Sequence, residues 1–78
     1  MTKQAALHDV FLSRARRSES MVTVFLVNGF QIRGTIAGYD AFTVIVNSDG
    51  KQNLIYKHAI STITPLRAIA LEETVEEP

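Results

Sequence analysis

From Met21 to Thr64 apolar residues recur at about every second position, and the connections that cut this run are so short that only antiparallel strands fit between them. Val22, Val24 and Leu26 alternate with Thr23, Phe25 and Val27, giving one buried face and one partly exposed face. The Asn28-Gly29 pair accepts the positive φ angles that a two-residue β-turn demands. Beyond it Ile32, Gly34, Ile36 and Gly38 alternate with Gln31, Arg33, Thr35 and Ala37. Two glycines on the inward side of one strand predict a sharp bend, as a closing barrel requires. Tyr39-Asp40-Ala41 leads into a strand over 42–47, and Ser48-Asp49-Gly50-Lys51 is a second hairpin turn. Residues 52–57 and 60–64 make two more strands, and Pro65 ends the last.

Ahead of this region the period changes. Leu7, Val10, Phe11 and Ala15 repeat with helical spacing over 7–18, Asp9 suits the positive N-terminal end, and Arg14, Arg16 and Arg17 crowd the last turns. The expected fold is therefore mainly β: an N-terminal α-helix followed by a five-stranded, strongly bent antiparallel sheet forming a small barrel. Residues 1–6 are expected to be a flexible N-terminus, 7–65 the folded domain and 66–78 an acidic, disordered tail.

A chain of 78 residues buries only ~60% of its unfolded surface. It has no cysteine, so disulfides, thiolate metal sites and a cysteine nucleophile are excluded. A chain that is 46% hydrophobic and this short has reason to oligomerise. No apolar run approaches the ~20 residues that span a membrane, and no signal-peptide core is present, which predicts a soluble, cytoplasmic protein without a membrane partner. Net charge is zero, but Glu72, Glu73, Glu76 and Glu77 crowd the C-terminus. Residues 1–67 hold all eight Lys and Arg against four acids, so the body carries +4. A polyanion meets that local field. The acidic end is either a counter-charge that competes for the arginines or a solvated segment that aids solubility.

Enzymatic chemistry has little to stand on. His8 and His58 are the only histidines, no glycine-rich phosphate loop precedes a helix, and Asp40 and Asp49 sit where turns favour aspartate. No catalytic residue, metal or cofactor is expected. Three features suit nucleic acid instead. The Lys57-His58 corner offers a phosphate charge and a stacking ring, although charged residues between strands are commonly just solvated. Phe25 and Phe30, with Gln31 and Arg33 nearby, could stack on bases and read their edges, or pack in an interface. The arginines of the helix suit phosphate, or simply cap its C-terminal end.

Leu26-Val27-Asn28-Gly29-Phe30 continuing to Gly34, Tyr39-Asp40 before Phe42, and Tyr56-Lys57-His58-Ala59-Ile60-Ser61-Thr62 together resemble the Hfq family, the bacterial branch of the Sm-like RNA-binding proteins. The resemblance covers about residues 7–65. It implies a homohexameric ring closed by edge-strand pairing, and an RNA chaperone that promotes pairing of small regulatory RNA with mRNA. It assigns U-rich single-stranded RNA to the helix-side face around the pore, with His8, Phe42, Lys57 and His58. It assigns A-rich RNA to the opposite face, through Phe25, Leu26, Gly29, Phe30, Gln31, Ile32, Arg33, Asn53, Ser61 and Thr62. The lateral rim would use Arg14, Arg16, Arg17 and Tyr39. His8 stands where many relatives carry Gln, and Gln31 and Asn53 depart from the Lys and Gln of enterobacterial members. Competing readings are a structural or peptide-binding small β-barrel and a monomeric single-strand DNA binder of the OB type.

Overall fold

The computed structural model describes residues 7–71. Helix α1 (Leu7–Ser18) precedes strands β1 (Met21–Leu26), β2 (Gln31–Tyr39), β3 (Thr43–Ser48), β4 (Lys51–Tyr56) and β5 (Ile60–Pro65), with a single 3₁₀ turn at Lys57–Ala59. All pairings are antiparallel and the strand order is β4-β3-β2-β1-β5. The last strand therefore returns to pair with the first, leaving β4 and β5 as the two edges. The expected tail extends past the described residues: 72–78 lie outside them, as do 1–6.

Among the described residues eight apolar side chains fill the core: Leu12 and Ala15 of the helix with Val22, Val24, Ile36, Val44, Val46 and Ile55 of the sheet. Burying each valine or larger member contributes about 1.5–3 kcal/mol. The helix is rotated relative to the expected stripe. Leu12 is buried, whereas Leu7 is 70% exposed. The face that meets the sheet runs through Phe11, Leu12 and Ala15, and Leu7 lies in the first turn, off that face. The helix ends in a Schellman arrangement, with Ser20 N donating to Ala15 O and Glu19 N to Arg16 O. Glu19 supplies the left-handed residue, at φ 55°, where glycine is the usual occupant.

The two hairpins are built differently. Asp49 and Gly50, at φ 52° and 78°, form the expected two-residue turn between β3 and β4. At Asn28-Gly29 the two-residue turn does not form. Only Gly29 has positive φ, 96°, and its N–H bonds to Leu26 O while Leu26 N bonds to Phe30 O. The loop is thus three residues, a turn followed by a glycine bulge. The reason is local: Asn28 Oδ1 accepts the Phe30 N–H at 3.0 Å, so its side chain closes the loop without positive φ at its own position.

Both glycines mark curvature, but only Gly34 faces inward: the register shift puts Gly38 opposite Ile45 rather than a buried valine, with open space where its side chain would stand. A Cβ on Gly34 would lie 2.0 Å from the carbonyl oxygen of Asn47. In a flat sheet a Cβ points away from neighbouring backbone, so β3 must fold over the face of β2 there. At Gly38 the β2–β3 register shifts, with Ile36 opposite Val46 and Gly38 opposite Ile45. Strand ends also differ from expectation. Phe42 precedes β3 and Lys57 follows β4, because the 40–43 turn and the 3₁₀ turn hold them.

Gly34→Ala should destabilise the protein by ~2–3 kcal/mol and lower its thermal midpoint by roughly 10–20 °C, because the clash is with backbone. Gly38→Ala, whose added methyl meets nothing within 4 Å, should stay within ~0.5 kcal/mol of the parent. Urea titration of both variants checks the pair.

Candidate nucleic-acid interface

One cluster forms where the 3₁₀ turn meets the start of α1. Lys57 N donates to Phe42 O at 2.7 Å, which ties the lysine to the loop carrying an aromatic ring that is 75% exposed. The Lys57 ammonium turns back toward the helix. It lies 3.7 Å from Asp9 Oδ1 and 5.9 Å from the centroid of the Tyr39 ring. Nζ is buried and, beyond this ion pair and ring contact, makes no hydrogen bond among the described residues. His8 Nε2 approaches the same Asp9 oxygen at 3.5 Å. His58 stacks on Tyr56, with centroids 5.5 Å apart and rings 13° from parallel.

Asp40 fixes the loop. Its Oδ1 accepts the N–H of Phe42 at 2.9 Å, the N–H of Thr43 at 2.8 Å and the Thr43 hydroxyl at 2.8 Å. The Phe42 amide bond is the main cause holding the carboxyl below the ordinary value of 3.8, followed by the Thr43 hydroxyl and amide, with Lys57 adding a smaller attraction. The cluster thus unites His8, Phe42 and Lys57 as expected and places His58 next to Lys57 in the same turn. It also includes Tyr39, which the resemblance assigned to the rim. Asp9, read from the sequence only as a helix-end charge, proves to be the partner of Lys57.

The second group lies on the face of the sheet turned away from the core. Phe25 sits between Gln31 on β2 and Thr62 on β5, and Thr23 sits between Arg33 and Thr64. The β1–β5 register shifts after Phe25, so Ser61 has no opposite number. Ser61 and Thr62 are consequently both exposed, with hydroxyls 3.4 Å apart. Phe30 stands 69% exposed at the loop end, beside exposed Gly29. Leu26 and Ile32 are half-buried and pack against the core instead. Asn53 lies on β4, three strands along the sheet from Phe25 on β1. It shares a depression of about 710 Å³ with Gln31, Ile32 and Arg33.

The arginines of α1 divide. Arg16 and Arg17 border a depression with Thr35 and Asn47, whereas Arg14 Nη1 donates to Ala70 O at 2.9 Å. Residues after β5 turn back along the helix: Leu66 N bonds to Met21 O, and Ile69 packs on the core. That return brings Arg67 to the cleft lined by Arg14 and Arg17, a neighbour no local sequence signal announces. No group of three or more metal-binding side chains occurs among the described residues, and no helix there is long and apolar enough to cross a membrane.

The family described as Hfq protein matches residues 7–70. The chain belongs to the Hfq family. The RNA-binding protein Hfq of Clostridium acetobutylicum is 54% identical over 71 residues, covering 91% of this chain and 88% of that one. The namesake from Desulforamulus reducens is 52% identical over 79 residues, covering 100% and 99%. A crystal structure of the pleiotropic translational regulator Hfq superposes with a TM-score of 0.74 at 51% identity, covering 76% of this chain and 98% of that one. The helix and bent five-stranded sheet are accordingly the Sm-like fold of Hfq.

Asp40 should titrate below 3.8, read as a carboxyl midpoint by NMR. A depressed folded-state value means a stabilising contribution that is full above the unfolded value and is lost as pH falls through the folded one. Relative to Asp40→Asn, the parent should therefore lose stability in that acid range and not near neutrality.

Proposed function

We propose that this chain is a cytoplasmic RNA chaperone that works as a homohexameric ring, binding U-rich RNA on the helix-side face and A-rich RNA on the opposite face. The observation that carries this reading is the pairing of two unlike base-stacking groups on one bent sheet. One is Phe42 beside a lysine whose ammonium makes no hydrogen bond among the described residues; the other is Phe25 and Phe30 beside amide and hydroxyl groups. The names of the relatives, RNA-binding protein Hfq, support it.

The ring reading draws on the edges. β4 and β5 have no outer partner among the described residues, and Leu54 and Tyr56 on β4 are each 55% exposed. An open edge with apolar side chains invites strand pairing, and pairing β4 of one copy to β5 of the next would bury both. Six bodies of +4 would give a ring of +24 before the tails are counted, a field that draws in phosphate and screens repulsion between two bound strands.

On the helix-side face Phe42 stacks on uracil while Lys57 leaves Asp9 for phosphate, with His8 and His58 at the pore. On the opposite face Phe25 and Phe30 hold adenine, and Gln31, Asn53, Ser61 and Thr62 supply donors and acceptors for its edge. Asn53 joins that site through the depression it shares with Gln31, Ile32 and Arg33. Arg16 and Arg17 on the rim, with Arg14 bound to the 66–70 segment, would help nucleate a duplex between small regulatory RNA and mRNA. Stacking keeps bases unpaired and available, while two sites on one ring raise their effective concentration.

Light scattering should give six copies. Phe42→Ala or Lys57→Ala should weaken oligo-U binding about tenfold with oligo-A binding kept, and Phe30→Ala should do the reverse. Affinity for both should fall steeply with salt. A monomer, or a ring indifferent to both RNAs, removes the proposal and leaves the fold.

A further inference from the structure

The tip of the β1–β2 hairpin holds an amide set up to react with its own main chain. Asn28 is exposed, and its Oδ1 accepts the Phe30 N–H at 3.0 Å. That bond draws electrons from Cγ and sits where negative charge would gather if Cγ were attacked. Among the described residues nothing bonds to Asn28 Nδ2, so the leaving group is free to go. The next residue is Gly29, and the space a side chain would occupy there is open. We propose that Asn28 is a site of spontaneous deamidation, converting the hairpin tip to a carboxylate.

The step balances without an oxidant or an enzyme. Gly29 N loses its proton to solvent hydroxide and bonds to Asn28 Cγ. The Cγ–Nδ2 bond breaks, and the nitrogen takes a proton from water and leaves as ammonia. Water then opens the five-membered imide at one of its two carbonyls, giving aspartate or isoaspartate at position 28. The net change is one water consumed and one ammonia released.

A brake is also present: Gly29 N donates to Leu26 O at 2.9 Å, so the nucleophile is freed only when the tip opens. Asn47 and Asn53 provide internal comparisons. Both lie in paired strands, opposite Thr35 and Val46, and the residues after them, Ser48 and Leu54, carry side chains that obstruct closure. The two products differ in consequence. Aspartate retains the acceptor for Phe30 N–H, whereas isoaspartate adds a methylene to the main chain and breaks the loop bonds of Leu26. Both put a negative charge beside Phe30. The effect on RNA, though not the chemistry, rests on the adenine-face reading.

The full chain would be incubated native and urea-unfolded at mildly alkaline pH, then digested under mildly acidic conditions. Mass spectrometry and isoaspartyl methyltransferase labelling would follow the peptide between Arg17 and Arg33. The expected result is native conversion at Asn28 that accelerates with pH and is abolished by Asn28→Gln, while Asn47 and Asn53 remain intact. Intact native Asn28 after the unfolded chain has converted completely overturns the proposal. Asn28→Asp should weaken oligo-A binding about fivefold and spare oligo-U. Unchanged oligo-A binding by that variant removes the effect on RNA. Parent protein that ignores oligo-A refutes the adenine face while the mass result stands on its own.

Discussion

The close approach of β3 to Gly34 is the constraint on which the rest of the chain depends. With the Asn47 carbonyl seated where a side chain would otherwise stand, the second strand can turn sharply and carry its neighbours around. That curvature lets β5 reach β1 across the far side of the sheet, and it shrinks the enclosed volume to what the eight described core residues can fill. A flat sheet of these strands would expose one face of valines and leave the helix too little to cover. The core is small because the bend is tight, and the bend is tight because one position has no side chain.

A core this economical releases aromatic residues for other work. Phe42 and Phe30 are largely exposed and Phe25 only half-buried, although each could have enlarged the interior. They are held by backbone instead. Asp40 secures the loop of Phe42 through two amides and a hydroxyl, and Asn28 closes the loop of Phe30. Short polar side chains thus position large apolar ones, so the loops that carry these exposed rings are ordered by the fold itself. Lys57 follows the same pattern, held by its main-chain bond to Phe42 while its ammonium pairs with Asp9 without a hydrogen bond among the described residues.

Much of this was legible in the sequence, and the exceptions have physical causes. The period-two pattern and the Asp49-Gly50 turn specify strands and register directly, since both depend on neighbours in the chain. The Asn28-Gly29 loop misled because asparagine has two ways to make a turn, and here the side chain acts rather than the backbone. Leu12 was missed since helical spacing leaves the facing direction open by a residue. The Asp9–Lys57 pair and the approach of Arg67 to Arg14 join residues some fifty apart, and only the folded path brings them together. Which strand would take β5 as its partner was equally invisible to local pattern.

The two open edges are unlike, and that difference governs what any assembly through them can be. Joining β4 to β5 is a head-to-tail contact, so no pair of subunits can satisfy both edges and growth continues until the first copy meets the last. The number of copies is then not written in the edge residues. It is an angle, set by how far one curved sheet rotates the next, and the hinge of that angle lies inside each subunit at Gly34. Stoichiometry in such a ring is a property of the interior.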